Sequence, residues 1–225
     1  MVLFLIGFVF LQPTVSYCDE EYNFSWLDPD KKVYVLQNRR YRKAERLGVY
    51  ISGGLNLSNP FRTEYSAVPR VAFWLSEQFG FEAFYGLVST SANATLTALR
   101  TVSASALPFV RENRGYFGGV GTWTPWYSKL NFFNKILYFD WFVHAGLGQI
   151  QTAVDENTRA TGSPNYRLEN LTTLFLGTGQ NFFLNQHFQV RLDLIGMFYR
   201  ARGADNVTTR TFSDFDFTTG LGYVF

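Results

Sequence analysis

The sequence predicts an all-β fold, an eight-stranded antiparallel up-and-down transmembrane β-barrel with an N-terminal periplasmic segment. Three observations predict it. Six segments alternate apolar with polar or small residues, and two more are rich in Gly and aromatics. The links between these segments alternate long and short in chain order. No apolar run beyond the first eleven residues approaches the ~20 needed for a membrane-spanning helix. In hydrocarbon every backbone N–H and C=O needs a partner, so strands that cross a membrane must close into a barrel. Composition agrees. Aromatics make up 19% of the 225 residues and charged residues 17%, while mean hydropathy is −0.06. A chain whose strands show one face to lipid and the other to a lumen has this balance.

Met1 to Leu11 is apolar, and small and polar residues follow before Asp19, Glu20 and Glu21. This reads as a signal peptide over 1–18, with Ser16 and Cys18 at the −3 and −1 positions. Cys18 is the only cysteine, so the mature chain has no disulfide framework, thiolate metal set or thiol nucleophile. Residues 19–45 read as a periplasmic segment with a basic cluster at Arg39, Arg40, Arg42, Lys43 and Arg46. It is a solvated tail, a tether for a periplasmic protein or a strand tucked against the base of the barrel.

The barrel is expected over 46–225. Leu47, Val49, Ile51 and Leu55 alternate with Arg46, Gly48, Tyr50 and Ser52. Val71, Phe73 and Leu75 alternate with Arg70, Ala72 and Trp74. Phe79, Phe81, Ala83 and Tyr85 alternate with Gly80, Glu82, Phe84 and Gly86. Tyr116 to Trp126 and Leu171 to Phe182 are the two Gly-rich segments whose faces the pattern leaves open. Phe139, Trp141 and Val143 alternate with Asp140, Phe142 and His144, and Phe188 to Leu194 with Gln189, Arg191 and Asp193. Phe215 to Phe225 closes the series. Period-two patterning puts alternate side chains on opposite sheet faces.

Ser76 to Gln78, Tyr127 to Asn134 and Leu184 to His187 read as short periplasmic turns. Asn56 to Glu64, Leu87 to Gly115, Thr152 to Asn170 and Ala201 to Ser213 read as longer outer loops. Within the second of these, Leu96, Leu99 and Val102 have helical spacing, which predicts a short amphipathic helix as a lid or cap. Trp126, Tyr127, Phe132, Phe133 and Phe183 are expected in a periplasmic aromatic girdle. Tyr116, Phe117, Phe198 and Tyr199 are expected in the outer one.

A charge on the lipid face costs roughly 2–4 kcal/mol near the midplane for Arg or Lys. Charged residues are therefore expected inside. Arg46, Arg70, Glu82, Asp140, His144, Arg191, Asp193 and Asp216 form the expected lumenal charge network. Its simplest role is to plug the lumen and fix strand register; a lumenal ion or proton path is the alternative. Asp140 and His144 lie four apart on one strand face, too far for a dyad. No cofactor, metal site or catalytic set is expected, and the net charge of +2 gives no footprint for nucleic acid.

Thr218, Gly220, Tyr223 and Phe225, within Thr218-Thr219-Gly220-Leu221-Gly222-Tyr223-Val224-Phe225, resemble the C-terminal assembly signal of bacterial outer-membrane barrels. The resemblance implies the barrel assembly machinery as a partner, the cell outer membrane as the location, and outer-membrane lipid and lipopolysaccharide as surroundings. A second resemblance spans most of the mature chain. It rests on Val35 to Arg39, Tyr41 to Lys43, Asn59-Pro60-Phe61, Pro125 to Lys129 and Leu192-Asp193. These resemble the deltaproteobacterial-type outer-membrane β-barrel domain family, similar in size to the OmpA- and OmpX-type barrels. Ser128 stands where the family usually has Gly. The resemblance implies a structural or adaptor role in an envelope-spanning complex, such as motility machinery, with periplasmic protein partners. A narrow pore is a second expectation. A lipid-modifying or proteolytic enzyme is the third and weakest, because two separated histidines support no hydrolase pattern.

Overall fold

A computed structural model describes residues 39–102, 109–133, 135–155, 166–203 and 207–225. Eight antiparallel strands close on themselves: β1 (Leu47–Asn56), β2 (Arg62–Trp74), β3 (Phe79–Ala92), β4 (Arg111–Phe132), β5 (Lys135–Asp155), β6 (Tyr166–Phe183), β7 (Phe188–Arg202) and β8 (Thr209–Val224). Each strand pairs with the next, and β1 pairs with β8, so no edge is left open. Every segment read as a strand from its alternation coincides with one of these eight, with only Arg46, Leu75 and Phe225 falling one residue outside β1, β2 and β8.

The pairing is staggered. Partners traced from Asn56 run through Asp216, Ile195, Gly177, His144, Thr122 and Gly80 to Trp74. Trp74 donates its backbone N–H to Arg46, ten residues below the start. That stagger tilts the strands by about 40° to the axis. At ~3.3 Å per residue, Leu47 to Leu57 then climbs about 25 Å, the height of the apolar band on an outer-membrane barrel.

The polarity of this barrel is inverted relative to a soluble one. Val49, Ile51, Val71, Phe73, Phe81, Tyr85, Trp123, Trp141, Leu147, Leu221 and Tyr223 are exposed on the outside. Arg70, Glu82, Asp140, Arg191, Asp193 and Asp216 are buried inside. Only hydrocarbon around the barrel makes that arrangement favourable, so the chain is an integral outer-membrane barrel, located in the cell outer membrane.

Three features depart from the expectations. Tyr127 to Asn134 is not a turn: the β4–β5 ladder runs on through Phe132↔Lys135, and Phe133 takes a left-handed φ of 47° at the tip. β4 and β5 reach 22 and 21 residues, about twice what a crossing needs, and project past their neighbours at the short-turn end. A β-bulge between Trp123 and Trp126, at Pro125, separates the projecting part of β4 from the barrel. Second, three outer links are shorter than expected: Asn56 to Glu64 shrinks to 57–61, Thr152 to Asn170 to 156–165, and Ala201 to Ser213 to 203–208, because the flanking strands run further. Third, the outer link after Leu87 is partly strand. β3 runs to Ala92, and the helix α1 (Ala94–Val102) follows. Asn93 caps α1 by accepting from the Leu96 N–H (3.0 Å), and its side-chain amide donates to the Pro60 carbonyl (2.7 Å). The helix is thereby tied to the β1–β2 link.

The aromatic girdles are thinner than expected because neighbours along a strand face opposite ways. Phe117 and Phe198 lie on the outer surface, whereas Tyr116 and Tyr199 point inward and are buried. At the other end Trp126 and Phe133 are exposed, whereas Phe183 is buried within the base.

Candidate functional site

The lumen is filled in three levels. At the base, residues 40–46 fold across the short-turn end of the barrel. The Lys43 ammonium reaches inward to the Asp140 carboxylate (2.5 Å) and the Thr124 hydroxyl (3.0 Å), and sits 4.0 Å from the Trp74 ring centre. Thr124 keeps the inward phase of Thr122, and the bulge at Pro125 then turns Trp126 outward. The Lys43 and Ala44 backbone N–H groups donate to the Glu77 carboxylate, and the Glu45 N–H donates to the Trp74 carbonyl. Tyr41 stacks on Phe183 at 5.2 Å and meets Tyr138 edge-on.

Above the base lies the charge cluster. Arg191 grips Glu82 through two parallel hydrogen bonds of 3.0 and 3.1 Å, the bidentate geometry that suits guanidinium and carboxylate. Arg70 bridges the two acids, donating to Glu82 (2.6 Å) and Asp193 (2.9 Å). Arg191 also reaches Asp193 at 3.2 Å. His144 Nε2 lies 3.5 Å from the other Asp193 oxygen. The guanidinium of Arg191 lies 4.1 Å from the Phe142 ring centre, and that of Arg70 lies 4.9 Å from Phe84. Two cations face two carboxylates, all at most 3% exposed, so the cluster is internally compensated.

Over this cluster the lumen turns apolar. Val68, Phe84, Val120, Phe175, Ile195 and Met197 are buried together. Phe84 meets Phe175 edge-on at 5.0 Å, and Tyr116 meets Phe84 at 6.1 Å. Glycines opposite make the room. A Cβ on Gly86 would run into the Tyr116 ring, and one on Gly177 would run into His144. Toward the outer mouth Tyr116 donates to Asp216 (3.0 Å), and Tyr199 donates to Asp214 (2.7 Å). Arg62 pairs with Glu112, and Arg111 with Glu169.

The expected network therefore divides. Arg70, Glu82, Arg191 and Asp193 form one cluster with His144 at its edge. Asp140 belongs to the base with Lys43. Asp216 sits above the apolar layer and accepts from Tyr116 and Asn56. Arg46 is half-buried just below β1, at the short-turn rim, and Lys43 three residues earlier is the basic side chain that reaches Asp140. Thr218 faces inward and is buried, while Tyr223 and Phe225 face outward at the short-turn end.

Lys43 and the apolar layer escaped the sequence reading. The first looked like one of several solvated basic residues before the barrel. The second left a trace, since Phe84 occupies a polar-face position of its strand.

No protein-family model matches the chain, and no curated protein matches it in sequence. Among solved structures, the chain is similar to the N-terminal β-barrel domain of Pseudomonas aeruginosa OprF. Identity is 12%, coverage is 81% of this chain and 98% of that one, and the TM-score is 0.48. It is also similar to OprG of the same organism, at 11% identity, 84% and 99% coverage and a TM-score of 0.40. The attachment invasion locus protein Ail of Yersinia pestis matches at 10% identity, 80% and 97% coverage and a TM-score of 0.39.

Proposed function

We propose that this outer-membrane barrel is a non-enzymatic structural or adaptor protein that anchors a larger envelope assembly, such as motility machinery. On this reading it is a deltaproteobacterial-type barrel inserted by the barrel assembly machinery and surrounded by lipid and lipopolysaccharide. One observation carries the reading: the lumen is filled, with an ion-paired cluster under a layer of Phe84, Val120, Phe175 and Ile195. An eight-stranded cylinder has room for little beyond its own side chains. A solute path would have to displace both a compensated charge cluster and packed rings.

The base supports the adaptor part. Lys43 and Tyr41 lock the start of the described chain into the barrel floor, so a load applied to residues 19–38 would be transferred to a rigid cylinder. Two measurements test this. Planar-bilayer recording of folded protein is expected to give no conductance steps above background; regular steps would favour a narrow pore. Removal of residues 19–38 is expected to leave heat-modifiable folding intact while periplasmic proteins cease to co-purify. Unchanged co-purification would end the tether.

A further inference from the structure

The outside of β6 breaks the apolar band. Leu174 and Leu176 face lipid, but the next outward positions are Thr178 and Gln180. A groove of about 210 Å³ lies along them, floored by Thr178, Gly179 and Gln180 and walled by Trp141 on one side and Leu192 and Phe217 on the other. The Thr178 hydroxyl is satisfied. It accepts from the Trp141 ring N–H (2.8 Å) and donates to the Phe142 carbonyl (2.9 Å). The Gln180 side-chain amide makes no hydrogen bond to any described residue, although it lies on the lipid-facing surface. An amide in such a place needs a partner from outside the chain.

Its height says which. Gln180 is paired with Trp141 and stands two residues above Phe182, which stacks on Phe139. With tilted strands, two residues rise about 5 Å. Indole rings favour the lipid–water boundary, so Gln180 lies just inside it, on the short-turn side. That is the depth of the ester carbonyls of a glycerophospholipid, which are acceptors. The groove continues upward from there past Thr178. It is smaller than the roughly 300–1,000 Å³ of compact-ligand pockets and suits one extended chain. A second copy of the barrel is a poorer fit. A two-fold contact would set one concave surface against another and leave both empty.

We propose that this groove holds one phospholipid of the periplasmic leaflet. An acyl chain lies along Thr178 and Gly179, and an ester carbonyl accepts from the Gln180 amide. The site is independent of any adaptor role.

The full chain in vesicles of phosphatidylethanolamine and phosphatidylglycerol, extracted in mild detergent, provides the test by native mass spectrometry. The wild type is expected to retain one phospholipid, and Gln180→Leu to lower that occupancy at least fivefold. Gln149→Leu, which alters an exposed glutamine near the other end of the band, is expected to leave it unchanged. Ether-linked lipid without ester carbonyls is expected to be retained like the Gln180→Leu case. Heat-modifiable migration confirms that each variant is folded, and Gln180→Ala is a second variant at the position. Equal retention by wild type and Gln180→Leu, equal loss in Gln149→Leu, equal retention of ester and ether lipid, or no retained lipid at all overturns the proposal. So does a wild-type dimer that Gln180→Leu dissolves, which would make the occupant a second copy.

Discussion

The lower and upper halves of the lumen are packed by opposite chemistries. Below, Arg70, Glu82, Arg191 and Asp193 hold one another by charge-assisted hydrogen bonds. Above, Phe84, Phe175, Ile195 and Met197 fill the same cylinder by contact alone. Both are shut off from water. The difference is in what each tolerates: the charge cluster works only as a complete set, whereas the apolar layer loses stability in proportion to the volume removed. The lower half is therefore brittle and the upper half gradual.

The largest effect is expected where one charge is removed from the lower set. Arg191→Met leaves Glu82 and Asp193 sharing Arg70, and is expected to cost about 3–5 kcal/mol in a denaturant titration followed by heat-modifiable mobility. Adding Glu82→Gln to it is expected to restore part of the loss, since Glu82 is the acid that Arg191 grips bidentately. A double variant less stable than Arg191→Met would remove the contrast between the halves. In the upper half, Phe175→Ala is expected to cost about 3 kcal/mol in the same titration. Refilling the space with Phe175→Leu is expected to return most of that. Equal losses for Ala and Leu would show that the ring edges, rather than volume, hold the layer. The smallest of the three effects belongs to the base. Lys43→Met removes the ammonium 2.5 Å from the Asp140 carboxylate, and about 2 kcal/mol is expected for losing that one charge-assisted contact. Asp140→Asn in the same chain is expected to recover part of it, and a full 5 kcal/mol loss for Lys43→Met would place the base among the brittle parts.

How much was legible depended on period. β1, β3, β7 and β8 alternate cleanly, and their lipid and lumen faces follow from the sequence with no further information. β4 and β6 did not declare a face because small residues fall on both sides: Gly118 inward but Gly119 and Gly121 outward on β4, and Gly177 and Gly179 inward beside outward Thr178 and Gln180 on β6. Gly118 of β4 faces the Phe175 ring of β6, and Gly177 of β6 faces His144 of β5, so the lining there is supplied by other strands. The projecting β4–β5 hairpin looked like a turn because Ser128, Lys129, Asn131 and Asn134 are turn-forming residues, yet pairing carries the ladder through most of them. Arg46 and Lys43 were indistinguishable as members of one basic run. Only the chain path across the base, which includes Glu45 at a φ of 60°, brings Lys43 to Asp140.

Alternation and the excess of aromatics by themselves determined a closed eight-stranded barrel with charge inside, because lipid accepts neither open strand edges nor exposed charge. The tertiary structure decided which charges meet. The stagger of ten residues brings Arg70 of β2 and Glu82 of β3 beside Arg191 and Asp193 of β7, across the lumen. No local pattern encodes that juxtaposition, since it depends on strand tilt and on the large side chains that neighbouring glycines admit.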